Sequence, residues 1–277
     1  MIPAAMTPAA MIPAAMRFDV CVVASGSAGN CTIVRHGDDV LIVDCGISRK
    51  RVLAALAELG VGAAQVKGIV VTHEHRDHCA GVGALSRGLK APVYATAGTL
   101  GGCREVVREL AGFIEVDDCT PFRVGSMRVE PFPTFHDAAN PFAVVVRPAE
   151  GDGPATAVVT DLGFVSTLAF ERLKGVRTAV FESNYDPAML QDGPYPWHLK
   201  QRIAGRNGHL ENAHTARALA RLYEAGLRQV LLAHLSETNN TPAVVLETLA
   251  RELPADVYAG TRFYLTYQDR PSEVVPV

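Results

Sequence analysis

The sequence predicts an α/β protein in which two mixed β-sheets pack together and carry helices on both outer faces. Three observations point there. Short runs of β-branched and apolar residues recur along the chain, bounded by Gly, Pro, Asn and Asp. Each half places its strands first and its helical stripes later. No Pro/Gly/Ser-rich linker separates the halves, so one domain with a sizeable core accounts for the 277 residues.

The elements follow in order. Phe18 to Val23 and Cys31 to Arg35 are strands on either side of the loop Ser25-Gly26-Ser27-Ala28-Gly29-Asn30. Gly37-Asp38-Asp39 turns the chain into a hairpin partner, Val40 to Asp44. Leu53, Leu56 and Leu59 give a helical stripe that stops at Gly60. Gly68-Ile69-Val70-Val71-Thr72 is a buried strand, a packed helix follows near 80–88, Pro92 to Tyr94 is a short strand, and Leu100 to Leu110 a helix. Phe122 to Val129 reads as two strands around a tight turn, and strands at 142–147 and 156–160 complete a β-rich block. The second half alternates: helix 164–173, strand 178–182, helices 197–204 and 211–225, strand 229–233, helix 242–252 and strand 263–267.

Hydrophobic residues make up 48% of the chain and charged residues 20%, which excludes a disordered protein. A net charge of −3 argues against a protein that coats nucleic acid non-specifically, but permits a local basic groove. The cysteines at 21, 31, 45, 79, 103 and 119 form no C-x-x-C pair. They read as free, buried thiols of a cytoplasmic protein rather than a disulfide framework or zinc ribbon. No stretch approaches the roughly 18 apolar residues of a membrane span. The segment Met1 to Met6 is repeated at Met11 to Met16 with regularly spaced prolines, which defeat helix and strand alike. Residues 1–15 are therefore expected to be a disordered leader, and 16–277 the working domain.

The densest chemical signal is His73-Glu74-His75-Arg76-Asp77-His78, three imidazoles and two carboxylates on a loop between a strand and a helix. Strand ends are where α/β proteins place their chemistry, and imidazoles with carboxylates are metal ligands. His73 and His75 on extended backbone can point to one side while Asp77 and His78 diverge, so one hexapeptide can serve two ions. Two ions need further ligands. A search for His or Asp at the ends of apolar strands finds His136 after Val129 to Phe135, Asp161 after Ala157 to Thr160, and His234 after Val230 to Ala233.

With those residues in place the chain resembles the metallo-β-lactamase superfamily from Met16 to the C-terminus. The motif is His73-x-His75-x-Asp77-His78 followed by His136, Asp161 and His234. The words Ser25 to Thr32, Thr160 to Gly163, Glu182-Ser183-Asn184, Gly193 to Trp197, Gly208-His209-Leu210 and His234 to Asn240 resemble its YycJ (WalJ) branch. The resemblance implies a four-layer αββα sandwich. It assigns His73, His75 and His136 to one metal, Asp77, His78 and His234 to a second, and Asp161 to a position bridging them. Asp44 matches the aspartate that holds the ligand loop by hydrogen bonds. His209 resembles a phosphate-contacting histidine and is the candidate proton donor to the leaving oxygen. Asp77 is expected to orient water as well as bind metal.

Two divalent ions about 3.5–4 Å apart can activate a bridging hydroxide and clamp a phosphodiester. Zinc suits the mixed ligands, with manganese or iron as alternatives. Lys200 and Arg202, with Arg206, are read as basic residues tracking a nucleic-acid backbone, and Ser25, Ser27 and Asn30 as phosphate contacts. The segment 162–233 is too short for the large inserted nucleic-acid domain of RNase J-like relatives in the superfamily, and 79–135 holds no obvious long tRNA-grasping arm. A compact phosphodiesterase remains, and the resemblance to the YycJ branch implies a DNA exonuclease, of 5′-to-3′ type. The alternatives are a small-molecule cyclic phosphodiesterase similar to PhnP, RNase Z-like RNA processing, or a non-enzymatic regulatory protein stabilised by metal.

Overall fold

A computed structural model describes residues 17–277. The leader expected at 1–15 lies outside the described residues. The chain opens as an antiparallel meander, β1 (Phe18–Ala24), β2 (Cys31–His36) and β3 (Asp39–Val43). Gly37, at φ 60°, makes the tight turn between the last two. Parallel crossovers follow: α1 (Arg49–Glu58) leads to β4 (Val66–Val70), α2 (Arg76–Cys79) and α3 (Val82–Leu89) to β5 (Val93–Ala95), and α4 (Ala97–Val107) to β6 (Phe113–Glu115).

The second sheet repeats this plan. β7 (Phe122–Val124), β8 (Met127–Pro133), β9 (Phe142–Pro148) and β10 (Ala155–Val159) form a meander. Then α5 (Thr167–Leu173) leads to the parallel strand β11 (Val176–Glu182), and α6 (Pro187–Asp192), α7 (Trp197–Ile203) and α8 (Asn212–Glu224) to β12 (Gln229–Ala233). α9 (Pro242–Glu252) and α10 (Ala255–Gly260) precede β13 (Arg262–Leu265), and β14 (Val275–Pro276) returns to pair with β1. Each sheet has seven strands, in the orders 14-1-2-3-4-5-6 and 13-12-11-10-9-8-7.

Alternation along the strands divides the core into three layers. Val144, Val158, Val180 and Leu231 stand side by side on β9 to β12 and meet Val20, Val34 and Leu41 of the other sheet. Ile33, Ile42, Ile69 and Val93 form the outward row of the first sheet, under Val52, Leu56, Val82 and Leu85 of the helices. Ala157, Ala179 and Val230 do the same in the second, under Leu219, Leu222 and Leu249. Burying each aliphatic side chain contributes roughly 1.5–3 kcal/mol. A one-residue slip would turn a whole row outward, so these rows fix the register. The expected αββα sandwich is the observed one.

Several boundaries differ from the sequence expectation. β4 ends at Val70, because Thr72 leaves the ladder to donate its N–H to Asp44 Oδ1 at 2.8 Å. The helix after β5 begins at Ala97, where Thr96 Oγ1 accepts from Thr99 N–H. The short β6, β14, α6 and α10 carry too few residues for a readable period. Five of the six cysteines are buried and all six are free thiols. No helix among the described residues is long and apolar enough to cross a membrane.

Candidate metal centre

The parallel parts of both sheets end at one place, and the ligand-type residues sit on those ends. Asp44 follows β3, His73 to His78 follow β4, His136 lies past β8, Asp161 past β10, Glu182 ends β11, and His234 follows β12. Adjacent parallel strands bring consecutive chain ends side by side, which gathers residues remote in sequence. Of the five non-glycine residues with positive φ among those described, three are in this group: Asp44 at 60°, Asp161 at 60° and His234 at 55°. Such backbone costs about 1–2 kcal/mol per residue and is held by local bonds. Here the Asp44 carboxylate accepts from Thr72, Glu182 Oε2 accepts from Leu162 N–H at 3.0 Å, and Ser25 Oγ accepts from His234 N–H at 2.7 Å.

Two groups of ligand atoms result. His73, His75 and His136 present nitrogens within 4.8 Å of one another, as do the ligand atoms of Asp77, His78 and His234. The Asp161 carboxylate lies between them, 3.1 Å from His78 Nε2, 3.5 Å from His234 Nε2 and 3.7 Å from His136 Nε2. His136 Nε2 and His75 Nδ1 face each other at 3.2 Å, and His73 Nε2 is buried with no hydrogen-bond partner. A lone buried imidazole nitrogen costs about 1–3 kcal/mol. Three that converge have the geometry and chemistry of divalent-cation ligands, and the donor set therefore fits the metal that the motif implies.

Surrounding groups set the protonation of these rings. His136 Nδ1 lies 3.0 Å from the Gly208 carbonyl, which can only accept, so Nδ1 carries the proton and Nε2 is left with a free lone pair that could take a cation. His78 Nδ1 likewise donates to Asp44 Oδ2 at 2.8 Å. Burial, then the charge of His78, push His73 well below the ordinary histidine value, so its ring is neutral. Burial opposes charge on Asp161, but His234 and His78 outweigh it and hold the carboxyl well below the usual range. Burial also opposes charge on His234, and the Asp161 and Asp77 carboxylates lift that imidazole to about 9. A cation entering the site must displace that proton.

The other residues singled out from the sequence divide by position. Asp44 accepts from Thr72 N–H, Thr72 Oγ1 and His78 Nδ1, all at 2.8 Å. His209 lies beside the centre, its Nδ1 2.7 Å from Glu182 Oε1 and 3.7 Å from Asp161 Oδ1. It does not cap α8, whose N-cap is Glu211. Ser27, Arg202 and His209 line a cavity of about 230 Å³ together with His75, Asp77, His136, Asp161 and His234. The Ser25 hydroxyl is engaged by His234. The Asn30 side chain closes its own loop, accepting from Gly26 N–H at 2.9 Å, with its amide nitrogen 3.0 Å from His78 Nε2. Arg202 is paired with Asp137. Lys200, two residues away on α7, is rotated by about 200° and lines a separate cavity with Tyr185 and Trp197. The two basic residues do not share one groove.

Sequence reasoning missed the role of Glu182. It is wholly buried, holds His209 and Leu162 N–H, and lies 3.7 Å from His234 Nδ1. The signal was present: Glu182 is a polar residue ending an apolar strand, but only His and Asp were sought there. Asn184, whose amide nitrogen lies 2.8 Å from His234 Nδ1 and donates to the His234 carbonyl, was missed as a support for the same reason.

Gly46 gives a direct test of how tightly the ligand loop is seated. A Cβ on it would stand 1.7 Å from the Asp77 carbonyl oxygen, so Gly46→Ala must push that backbone away. Such overpacking costs about 1–3 kcal/mol. Thermal unfolding should show that loss, and metal titration a weaker site. A variant with wild-type melting and metal affinity would contradict the close approach.

Two seven-stranded sheets with helices outside, and His and Asp gathered at their joined strand ends, define a metal-dependent hydrolase. The model of the β-lactamase superfamily domain matches residues 40–235, and the chain belongs to the metallo-β-lactamase superfamily. It is 38% identical over 225 residues to the exodeoxyribonuclease YycJ of Bacillus anthracis, covering 79% of this chain and 83% of that protein. It is 30% identical over 268 residues to the exodeoxyribonuclease WalJ of Streptococcus pneumoniae, covering 94% and 97%. Among solved structures, the metallo-β-lactamase fold protein YhfI of Bacillus subtilis superposes with a TM-score of 0.71 at 16% identity, over 94% of this chain and 100% of that one.

Proposed function

We propose that this protein is a dinuclear metal-dependent phosphodiesterase that degrades DNA from an end, in the 5′-to-3′ sense. The observation that carries the reading is the pair of ligand groups flanking Asp161 and opening, with His209, on one cavity. The names of the two curated relatives support the choice of DNA. Zinc, or alternatively manganese or iron, would be held by His73, His75 and His136 on one side and Asp77, His78 and His234 on the other. Divalent ions there supply positive charge and an activated water to the phosphodiester. Buried free thiols support a reducing, cytoplasmic setting.

The chain's own groups do the rest. Glu182 accepts from His209 Nδ1, which turns Nε2 toward the cavity as the atom that hands a proton to the leaving oxygen. Arg202 and Ser27, at the cavity wall, hold the phosphate's outer oxygens. A labelled duplex should shorten from one end when the purified protein is supplied with zinc or manganese. Turnover of cyclic nucleotides, with DNA untouched, would replace this reading by a small-molecule phosphodiesterase.

His209→Ala should lower kcat on DNA by about 10²–10⁴-fold, the range for losing a general acid. Its effect on a p-nitrophenyl phosphodiester, whose leaving group needs no proton, should be much smaller. Equal losses on both substrates would remove the proton-donor role.

A further inference from the structure

Three loops that reach the metal centre carry a second set of residues on their outer ends. Phe135 precedes His136, Phe164 follows the Asp161 turn, and Arg206 precedes His209. The loops are tied together. Gly163 N–H donates to the Phe135 carbonyl at 3.0 Å, and His136 Nδ1 lies 3.0 Å from the Gly208 carbonyl. Gly163 is packed so closely that a Cβ on it would meet the Arg206 carbonyl oxygen at 2.2 Å. Fixing the inner ends around the metal therefore also fixes the outer ends.

Those outer ends form a stripe. The Phe135 and Phe164 rings lie 4.5 Å apart, and the Arg206 guanidinium sits 4.5 Å over Phe164. Beyond Phe164 a cavity of about 220 Å³ runs between Phe170 and α8. His214, Arg217 and Arg221 project from one exposed face of that helix, about 10 Å from first to last. Arg221 lies 3.6 Å over Phe170. Glu211 is shared by His214 and Arg217 at 3.5 Å, whereas Arg206 and Arg221 form no ion pair among the described residues. Phe135 is 43% exposed, one of the four exposed large hydrophobic side chains described.

The exposed Phe135 ring, and the flat guanidinium groups laid over half-buried Phe164 and Phe170, match a polyanion that also offers flat apolar faces. That is an unpaired nucleic-acid strand, whose bases can stack while its phosphates meet arginine. A duplex hides those base faces and would use the cations alone. We propose that this stripe, from Phe135 and Arg206 to Arg221, holds a single-stranded segment of the substrate next to the metal centre. The proposal rests on the phosphodiesterase reading of that centre, and implies that the enzyme works from frayed or single-stranded ends.

The test compares the metal-loaded protein with its Arg217→Glu/Arg221→Glu variant. Fluorescence anisotropy would follow a cleavage-resistant phosphorothioate oligothymidylate, and hydrolysis of bis(p-nitrophenyl) phosphate would follow the centre. The variant should bind the oligomer at least about tenfold more weakly and lower the salt slope by about 1.4, at roughly 0.7 per phosphate contact. It should hydrolyse the small ester as the wild type does. An abasic oligomer of equal length should bind the wild type about tenfold more weakly than oligothymidylate, because only stacking is lost. Unchanged oligomer binding by the variant, equal affinity for the abasic strand, or a preference for duplex of the same length would each overturn the stripe. So would a self-association that the variant abolishes while its DNA binding stays intact. Failure of both proteins to hydrolyse the small ester would instead count against the phosphodiesterase reading, while the binding comparison still decides the stripe.

Discussion

Asp161→Asn should leave a folded protein with almost no activity. Asn tolerates the left-handed backbone that Asp161 adopts at φ 60°, and it has nearly the same shape, so the β10 turn can stay as it is. What disappears is the negative charge between His78, His234 and His136, at 3.1 to 3.7 Å. Groups that merely support a metal ligand cost about 10–100-fold when removed. A carboxylate placed between both ligand groups should cost more, so a loss above about 100-fold in kcat on DNA is expected. Circular dichroism should be unchanged, while elemental analysis should find less than the wild-type metal content. Activity within tenfold of wild type at full metal content would show that the two groups do not depend on the shared carboxylate.

Asp44→Ala should have the largest effect on stability. The Asp44 side chain is almost wholly buried and accepts three bonds of 2.8 Å, one from the completely buried His78. Removing one member of a buried pair costs about 3–5 kcal/mol, because the partner stays in place without compensation. Alanine at φ 60° adds about 1–2 kcal/mol of backbone strain. For a chain of this size about 2–4 °C of Tm is lost per kcal/mol, so melting should fall by on the order of 10 °C. Metal affinity should also fall, about 10–100-fold, since His78 loses the bond that orients its ring. Asp44→Asn separates the causes: it keeps the turn, but its amide NH₂ opposes the His78 Nδ1–H. A melting point within about 2 °C of wild type for Asp44→Ala would mean that the loop is held by other contacts.

Much of the candidate centre is visible in the chain because the residues that could hold a metal obey a local rule. The hexapeptide is contiguous, and His136, Asp161 and His234 each lie at the end of an apolar run. The supports are less visible. Glu182 follows the same strand-end rule, yet Glu is common on surfaces, and its use depends on His209 arriving from a different loop. Ser25 offers a hydroxyl in a glycine-rich turn, and nothing nearby in sequence says that the amide of His234 will take it. Lys200 and Arg202 show the reverse error: close in sequence, they are driven to different sides of α7 by the 3.6-residue period.

The sequence by itself determined the strands and long helices, the packing of two sheets under helices, and the residue types that meet a metal. Periods of two and 3.6 decide which side of an element a residue faces, and that information is local. The tertiary structure alone decided which atoms converge and which are consumed as supports. It also alone joined Phe135, Phe164, Arg206 and Arg221 into a surface beside the metal centre. Those decisions depend on how the two sheets lie against each other, and on hydrogen bonds between residues tens to hundreds of positions apart, which no local pattern encodes.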